Sequence, residues 1–168
     1  ELGMTVWLIK PSIDTRDGAD IIRSRIGLQR SAQIITPEQN VADEYHAAGK
    51  YDVIIADEAQ FFTPEQIDQL RGIVDNEDVP VLCFGLRTDF LTRCFPGSKR
   101  LLELADSITE IKTVCACGRK ATVNARIGED GHIITQGDQV FLGGNDSYVA
   151  MCHKCWADKI KAQQSEET

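Results

Sequence analysis

Four of the six cysteines lie in two close pairs, Cys115-Ala-Cys117 and Cys152-His-Lys-Cys155. Two such pairs suit the two turns of a zinc ribbon, in which Zn²⁺ takes four thiolates in tetrahedral geometry. The first pair has one intervening residue where two are commoner, so its turn must be tighter, and the adjacent His153 is an alternative ligand. Ordinary buried cysteines or a disulfide would leave the close spacing of both pairs as coincidence. A four-thiolate site has no open position, so the predicted zinc is structural.

Two adjacent carboxylates, Asp57 and Glu58, follow the apolar run Val53-Ile54-Ile55-Ala56. A buried strand that ends in such a pair is typical of sites that hold Mg²⁺ on nucleotide phosphates, with one carboxylate on the metal and its neighbour free to act as a base. A solvated acidic pair that caps the next helix is the alternative. The pattern therefore needs support from its surroundings.

Aromatic side chains follow the same region of the chain. Phe61 and Phe62 come directly after the acidic pair, and Phe90 and Phe95 follow the next apolar run. Flat rings at one edge of a sheet can stack on a nucleobase. Core packing explains any one ring taken singly, whereas their grouping favours a base-binding role.

Composition excludes several classes of partner. Lys and Arg total 18 against 26 Asp and Glu, for a formal charge of -8 over 168 residues, so general binding to nucleic acid has no electrostatic support. The sequence has no apolar run of the roughly 18 residues that cross a bilayer, and residues 1–10 do not resemble a signal peptide. The paired cysteines, with Cys83 and Cys94 standing apart, favour a metal site in a reducing cytoplasm over a disulfide framework.

An α/β sheet must position these groups. Residues 4–9, 52–56 and 80–84 are short apolar runs that predict parallel strands buried on both faces. Thr36-Pro37-Glu38-Gln39 and Thr63-Pro64-Glu65-Gln66 share the pattern of a hydroxyl cap, a proline and a glutamine, so both predict helix starts. The alternation of strand and helix indicates a doubly wound sheet with its site at the carboxyl ends of the strands.

The sequence pattern changes near residue 113. Segments 121–127, 132–135 and 138–142 predict short strands between glycine-rich turns, followed by a helix over 153–163 and a polar tail that we expect not to pack. We therefore predict two domains, 1–112 and 113–168.

Taken together, DEAQFF at 57–62, KPSIDTR at 10–16, LGGNDSYVAMC at 142–152 and the cysteine pairs resemble the zinc-containing thymidine kinases of bacteria and animals. The resemblance covers nearly the whole chain. It implies a RecA-like phosphate-loop sheet with helices on both faces, a small β-rich zinc-ribbon lobe, and transfer of the γ-phosphoryl group of ATP to the 5′-hydroxyl of thymidine or deoxyuridine. It further implies a cytoplasmic homotetramer.

The resemblance also assigns residues to the chemistry. Glu58 is implied to be the general base, and Asp57 to serve the magnesium ion on ATP, with Ala59 and Gln60 completing the nucleotide-binding turn. Arg16 is implied to steady the transferring phosphoryl group, since a planar guanidinium suits its oxygens, and Asp14 to assist nearby.

A further set of residues is implied to bind the nucleoside. Phe61 stacks on thymine, Phe90 and Phe95 line the pocket, and Asn124 stands where the family often has Thr. The stretch from Val140 to Tyr148 resembles a lasso loop that wraps the nucleoside with backbone groups; its other implied contacts are Phe141, Leu142, Gly143 and Gly144. Residues 17–35, with Arg23, Arg25 and Arg30, resemble a mobile lid, and a solvated charged loop is the alternative.

One part of the family pattern is missing. The family begins with a strand and a G-x-x-x-x-G-K-S/T phosphate loop, whereas Gly49-Lys50-Tyr51 lacks both the earlier glycine and the hydroxyl. We therefore expect a strand, a phosphate loop and a helix upstream of Glu1, and weak catalysis from this chain alone. The alternatives are a zinc-bearing module that binds nucleosides without turnover, and a helicase-type ATPase suggested by the DEAQ string, which the net charge and the cysteine pairs oppose.

Overall fold

The computed structural model describes residues 3–12, 21–23, 29–140 and 147–166. It divides into two compact units, one of Glu1–Arg87 with Pro96–Asp106 and the other of Thr88–Phe95 with Ser107–Thr168. Within the described ranges, none of the helices combines the length and apolar character that crossing a bilayer requires.

The first unit is a parallel sheet flanked by helices. Its elements are β1 (Val6–Pro11), β2 (Ile21–Arg23), β3 (Gln29–Ser31), β4 (Gln33–Ile35), α1 (Val41–Ala48), β5 (Val53–Ala56), a 3₁₀ turn (Ala59–Phe61), α2 (Pro64–Glu77), β6 (Val81–Cys83) and α3 (Pro96–Leu104). The strand order is β4-β1-β5-β6, all parallel, and β2 and β3 form a separate antiparallel pair. One face of β1 and β5, which carries Trp7, Ile9, Ile54 and Ala56, is buried. On the other face Val6 is 40% exposed and Leu8 and Ile55 are partly exposed, so the predicted burial of these strands on both faces is wrong. The predicted sheet is confirmed.

The two predicted helix starts have different outcomes. Thr63 caps α2 as predicted: its hydroxyl oxygen accepts a hydrogen bond from the Gln66 amide, and the Gln66 side chain accepts one from the Thr63 amide, both at 3.1 Å. The start at Thr36 is wrong. There the chain makes a turn closed by the Thr36 amide and the Gln39 side chain, and α1 begins four residues after Pro37, at Val41.

The turn at Thr36 has a tertiary cause. The side-chain amide of Gln66 donates to the carbonyl oxygens of Thr36 and Gln39, at 2.8 and 3.0 Å. These carbonyls would otherwise be available to a helix starting at Thr36. Asn40 instead caps α1, with its side chain accepting from the amides of Ala42 and Asp43.

The second unit is small and built mainly from β-strands. It contains β7 (Thr113–Val114), β8 (Lys120–Ala121), β9 (Val123–Ile127), β10 (Ser147–Met151) and α4 (His153–Glu166), with β7 pairing β8 and β9 pairing β10, both antiparallel. Its core contains two cysteines and four apolar side chains: Cys115, Val123, Ala125, Ile133, Met151 and Cys152. The predicted β-rich lobe with a terminal helix is confirmed.

Two details of this unit differ from the prediction. Segment 132–135 makes a single bridge, Ile133 with Ile127, rather than a strand, because the side chain of Gln163 bonds both the amide and the carbonyl of Ile133, at 2.7 and 3.1 Å. The predicted helix over 153–163 extends to Glu166, and within the polar tail Gln163 packs against Ile133 while residues 164–166 are exposed. Residues 138–140 are not a strand, and the rest of segment 138–142 lies outside the described residues.

Candidate functional site

The acidic pair lies at the carboxyl end of β5, as predicted. Two backbone hydrogen bonds fix the turn, one to β1 and one to the segment just after β6. The Asp57 amide donates to the carbonyl of Ile9 on β1 at 3.0 Å, and the Ala59 amide donates to the carbonyl of Phe84, just after β6, at 2.9 Å. Between them Glu58 has a left-handed backbone, with φ 49° and ψ 40°. A non-glycine residue held in this region is strained, and such strain persists where surrounding structure imposes it.

The two carboxylates differ from the residues that follow them in exposure. The side chains of Asp57 and Glu58 are partly exposed, whereas Ala59 and Gln60 are buried, with Gln60 only 2% exposed. The Gln60 amide nitrogen donates to Glu58 Oε2 at 2.5 Å, and its oxygen accepts from the Leu86 amide at 3.1 Å. Gln60 therefore orients the Glu58 carboxylate from beneath.

Two glycines allow neighbouring segments to approach this turn. A Cβ on Gly85 would lie 2.5 Å from Gln60 Oε1. A Cβ on Gly97, in the first turn of α3, would lie within 3.1 Å of the backbone carbonyl oxygens of Ala59, Gln60 and Phe62. Because backbone oxygens cannot swing away as a flexible side chain can, Gly97 is required for α3 to pack against the turn.

A matched pair of substitutions tests this packing. We expect Gly97→Ala to lower the free energy of unfolding by about 1–3 kcal/mol through overpacking. Gly72→Ala, in the interior of α2 where the nearest atom is Asn76 Nδ2 at 3.9 Å, should raise it by about 0.5–1 kcal/mol through helix propensity. Urea unfolding followed by circular dichroism measures both, and equal effects of the two substitutions would contradict the packing argument.

The aromatic pair after the acidic turn divides between surface and core. Phe62 is buried in the core of the first unit, while Phe61, at the end of the 3₁₀ turn, is partly exposed. Part of the Phe61 side chain is therefore accessible to solvent, whereas Phe62 is a core residue.

The four paired cysteines of the second unit form one cluster. Their Sγ atoms all lie within 4.8 Å of one another, and the Cys117 and Cys152 sulfurs are 3.7 Å apart. Tetrahedral Zn–S bonds of about 2.3 Å place sulfurs roughly 3.8 Å from each other, so this cluster fits a zinc site and can hold a metal ion. Within the described part of the chain, His153 is not a member of the cluster.

Backbone amides that donate to the sulfurs lower the pKa of two of the four thiols. The amides of Cys117 and Cys152 lower the pKa of the Cys115 thiol to about 6, and the Cys155 amide lowers that of Cys152. Hydrogen bonds from Cys155 to the other sulfurs, Cys152 first, raise its own pKa to about 12. Some thiolate character therefore exists before a cation is bound, which favours metal binding.

Several predicted nucleoside contacts lie in the second unit as well. Phe90 and Phe95 are buried, Asn124 on β9 and Val140 are partly exposed, and Tyr148 on β10 is 49% exposed. The loop that carries Phe90 turns around Asp89, whose Oδ1 accepts from the Leu91 and Arg93 amides, both at 2.9 Å.

One residue of this region was missed by sequence reasoning. Arg126 is only 2% exposed, and its guanidinium carbon lies 3.8 Å from the centroid of the Phe90 ring. Its neighbours on β9, Val123 and Ala125, are buried on alternate positions, so period-2 patterning predicts an exposed Arg126.

The remaining predicted residues lie outside the described residues. They are Asp14, Arg16, Arg25, Phe141, Leu142, Gly143 and Gly144, together with 17–20 and 24–28 of the predicted lid. The predicted lid is wrong for its last residues, because β4 (Gln33–Ile35) pairs with β1 in the parallel sheet.

The chain is similar in sequence to one protein family and to several individual proteins. The profile of the family described as Thymidine kinase matches residues 1–156. A thymidine kinase of Ruegeria pomeroyi is 47% identical over 161 residues, covering 94% of this chain and 81% of the relative. That of Enterobacteria phage T4 is 44% identical over 164 residues, covering 96% and 84%, and that of Legionella pneumophila is 48% identical over 156 residues, covering 90% and 75%.

Proposed function

Since this chain belongs to the thymidine kinase family, we propose that it transfers the γ-phosphoryl group of ATP to the 5′-hydroxyl of thymidine. The products are thymidine 5′-monophosphate and ADP, and deoxyuridine is the alternative acceptor. The observation that carries the proposal is the acidic turn at the end of β5, where a partly exposed, oriented Glu58 follows a partly exposed Asp57.

Glu58 acts as the general base in this proposal. Its carboxylate takes the proton from the 5′-hydroxyl as that oxygen attacks the γ-phosphorus, and the bond to the β-phosphate oxygen breaks to release ADP. Two features support the role: the amide of Gln60 fixes one carboxylate oxygen, and the backbone bonds of Asp57 and Ala59 fix the turn. A base fixed in this way needs little reorganisation at the moment of transfer.

Asp57 serves the Mg²⁺ ion carried by ATP, which offsets charge on the phosphate oxygens. Its side chain is partly exposed and suits an oxygen ligand, whereas the buried Ala59 and Gln60 support the turn from inside the unit. Arg16 and Asp14 complete the proposed phosphate-binding set, and the family resemblance alone supports them.

The nucleoside is assigned to Phe61, Phe90, Phe95, Asn124 and the segment from Val140 to Tyr148. The partial exposure of Phe61 and Tyr148 supports their roles, since each leaves ring surface accessible to a ligand. Phe90 and Phe95 are buried side chains, so their proposed part is to form a wall of the pocket.

The cysteine cluster is proposed to hold a structural zinc ion. Four sulfurs fill a tetrahedral shell, so an ion there contributes folding energy to the second unit rather than chemistry. We further propose a homotetramer on the family resemblance, a cytoplasmic location on the paired cysteines, and the domain division 1–112 and 113–168 on the change of sequence pattern near residue 113.

The experiment that tests the function is a phosphoryl-transfer assay. The protein in its full reading frame, including any residues upstream of Glu1, is incubated with γ-labelled ATP, Mg²⁺ and thymidine, deoxyuridine or deoxycytidine, and labelled monophosphate is separated from ATP. Labelled thymidine monophosphate supports the proposal. Thymidine binding by calorimetry without any labelled product would contradict it and favour a module that binds nucleosides without turnover.

A further inference from the structure

The buried Arg126 joins three separate segments of the second unit. Its guanidinium lies over the Phe90 ring, its Nε donates to Tyr148 Oη at 3.0 Å, and its Nη2 donates to the carbonyl oxygen of Asp138 at 3.2 Å. The first contact reaches the loop 88–95, the second reaches β10, and the third reaches the residues just before the predicted lasso. A planar guanidinium with donors in a fixed fork suits such a three-way junction.

Each of these segments carries or adjoins a residue that the proposed function assigns to the nucleoside. Phe90 belongs to the loop, Tyr148 to β10, and Val140 follows Asp138 by two residues. We propose that Arg126 is a positioning residue for thymidine, which fixes Phe90, the start of the lasso and Tyr148 in the arrangement that binds the nucleoside. The inference rests on the proposed function.

Arg126 also determines how Tyr148 can hydrogen bond. A guanidinium has donors and no acceptor, so the Tyr148 oxygen must accept in this contact. The hydroxyl hydrogen is then directed to a different acceptor. With the side chain 49% exposed, Tyr148 is set to donate to an acceptor atom of a ligand.

A second link ties the same loop to the same segment. The side chain of Gln139 donates to Asp89 Oδ2 at 2.9 Å and to the carbonyl of Cys94 at 3.4 Å. This link does not depend on Arg126, so we expect variants at Arg126 to keep the loop attached. The effect of such variants should therefore be misplacement of Phe90 and Tyr148 rather than unfolding of the unit.

The test compares Arg126→Met, Arg126→Lys and the control Arg119→Met. Arg126→Met should weaken thymidine binding about tenfold or more, since it removes two charge-assisted hydrogen bonds and a cation–π contact. Arg126→Lys should fall between it and the wild type, because an ammonium lacks the planar fork. Arg119→Met, at an exposed position of the same unit, should leave thymidine affinity within about twofold. Calorimetry measures thymidine, and MgATP is titrated in parallel and should change within about twofold for every variant.

Two further measurements separate positioning from general damage. Tyr148→Phe should weaken thymidine binding in the wild type more than in the Arg126→Met background, because the contact through Tyr148 Oη is already lost there. Hydrogen exchange without ligand should be faster by about fivefold or more in Arg126→Met over residues 147–151, and unchanged over 113–121.

The outcomes are distinguishable. If wild-type protein binds thymidine and Arg126→Met binds it equally well, the inference is overturned while the proposed function stands. If wild-type protein does not bind thymidine, the proposed function fails. The hydrogen-exchange measurement then tests Arg126 by itself, and unchanged exchange over residues 147–151 in Arg126→Met overturns its positioning role. A parallel loss of MgATP and thymidine affinity would mark general damage and would also overturn it.

Discussion

Replacement of Glu58 by Gln in the full-length protein is expected to lower kcat for thymidine phosphorylation by about 10²-fold or more, the usual scale for loss of a general base. The amide has nearly the shape of the carboxylate but cannot take the proton of the 5′-hydroxyl. Thymidine affinity should stay within about twofold, because the proposed base contacts the reacting hydroxyl rather than the thymine ring. Steady-state kinetics and thymidine calorimetry on the same preparations measure both quantities.

Two comparison variants sharpen this experiment. Glu65→Gln makes the same chemical change at an exposed position in the first turn of α2 and should leave kcat unchanged. Gln60→Leu keeps the Glu58 carboxylate but removes the amide that orients it, so kcat should fall by an intermediate factor, roughly tenfold, the scale of one such hydrogen bond. Turnover by Glu58→Gln equal to that of Glu65→Gln would exclude Glu58 from the mechanism.

The sheet and the acidic turn were predictable because each depends on local sequence. Parallel strands of α/β sheets are typically continuous apolar runs, as β5 is, and the polar residues Asp57 and Glu58 mark where it ends. What the sequence did not indicate is the support beneath them. The contact of Gln60 with Glu58 needs a left-handed residue at position 58 and a glycine at 85, and neither follows from the letters DEAQ.

The two similar helix-start patterns show where local rules end. Thr63 and Thr36 are followed by the same three residues, yet only Thr63 begins a helix. The difference comes from the side chain of Gln66, which bonds the carbonyls of the Thr36 turn from α2, some 30 positions along the chain. A four-residue sequence pattern cannot predict a contact with a residue so distant in the chain.

Arg126 escaped prediction for a related reason. Alternation along β9 places it on the face expected to be polar and exposed. It is buried because the loop with Phe90, distant in sequence, lies against its guanidinium. Burial of a charged strand residue is a tertiary property, and the pairing of that residue with aromatic rings became visible only in the fold.

A substitution in the four-cysteine cluster is the second change for which we expect a large effect. Cys152→Ser is expected to reduce bound zinc from about one ion per chain to nearly none, because a hydroxyl is a poor replacement for a thiolate ligand and the remaining three sulfurs leave the shell open. Cys152 is buried in the core of the second unit, and its sulfur lies 3.7 Å from that of Cys117. Loss of the ion should therefore lower the melting temperature and weaken thymidine binding about tenfold or more.

Cys94→Ser is the matched control, since it makes the same change at an exposed thiol of the same unit that is outside the cluster. It should retain zinc, stability and thymidine affinity. Elemental analysis, thermal unfolding and thymidine calorimetry on both variants separate loss of the ion from loss of a thiol. A Cys152→Ser protein that contains no zinc yet melts and binds thymidine as the control does would show that the second unit folds without the metal. The cluster would then have no part in holding β9, β10 and the segments that Arg126 joins.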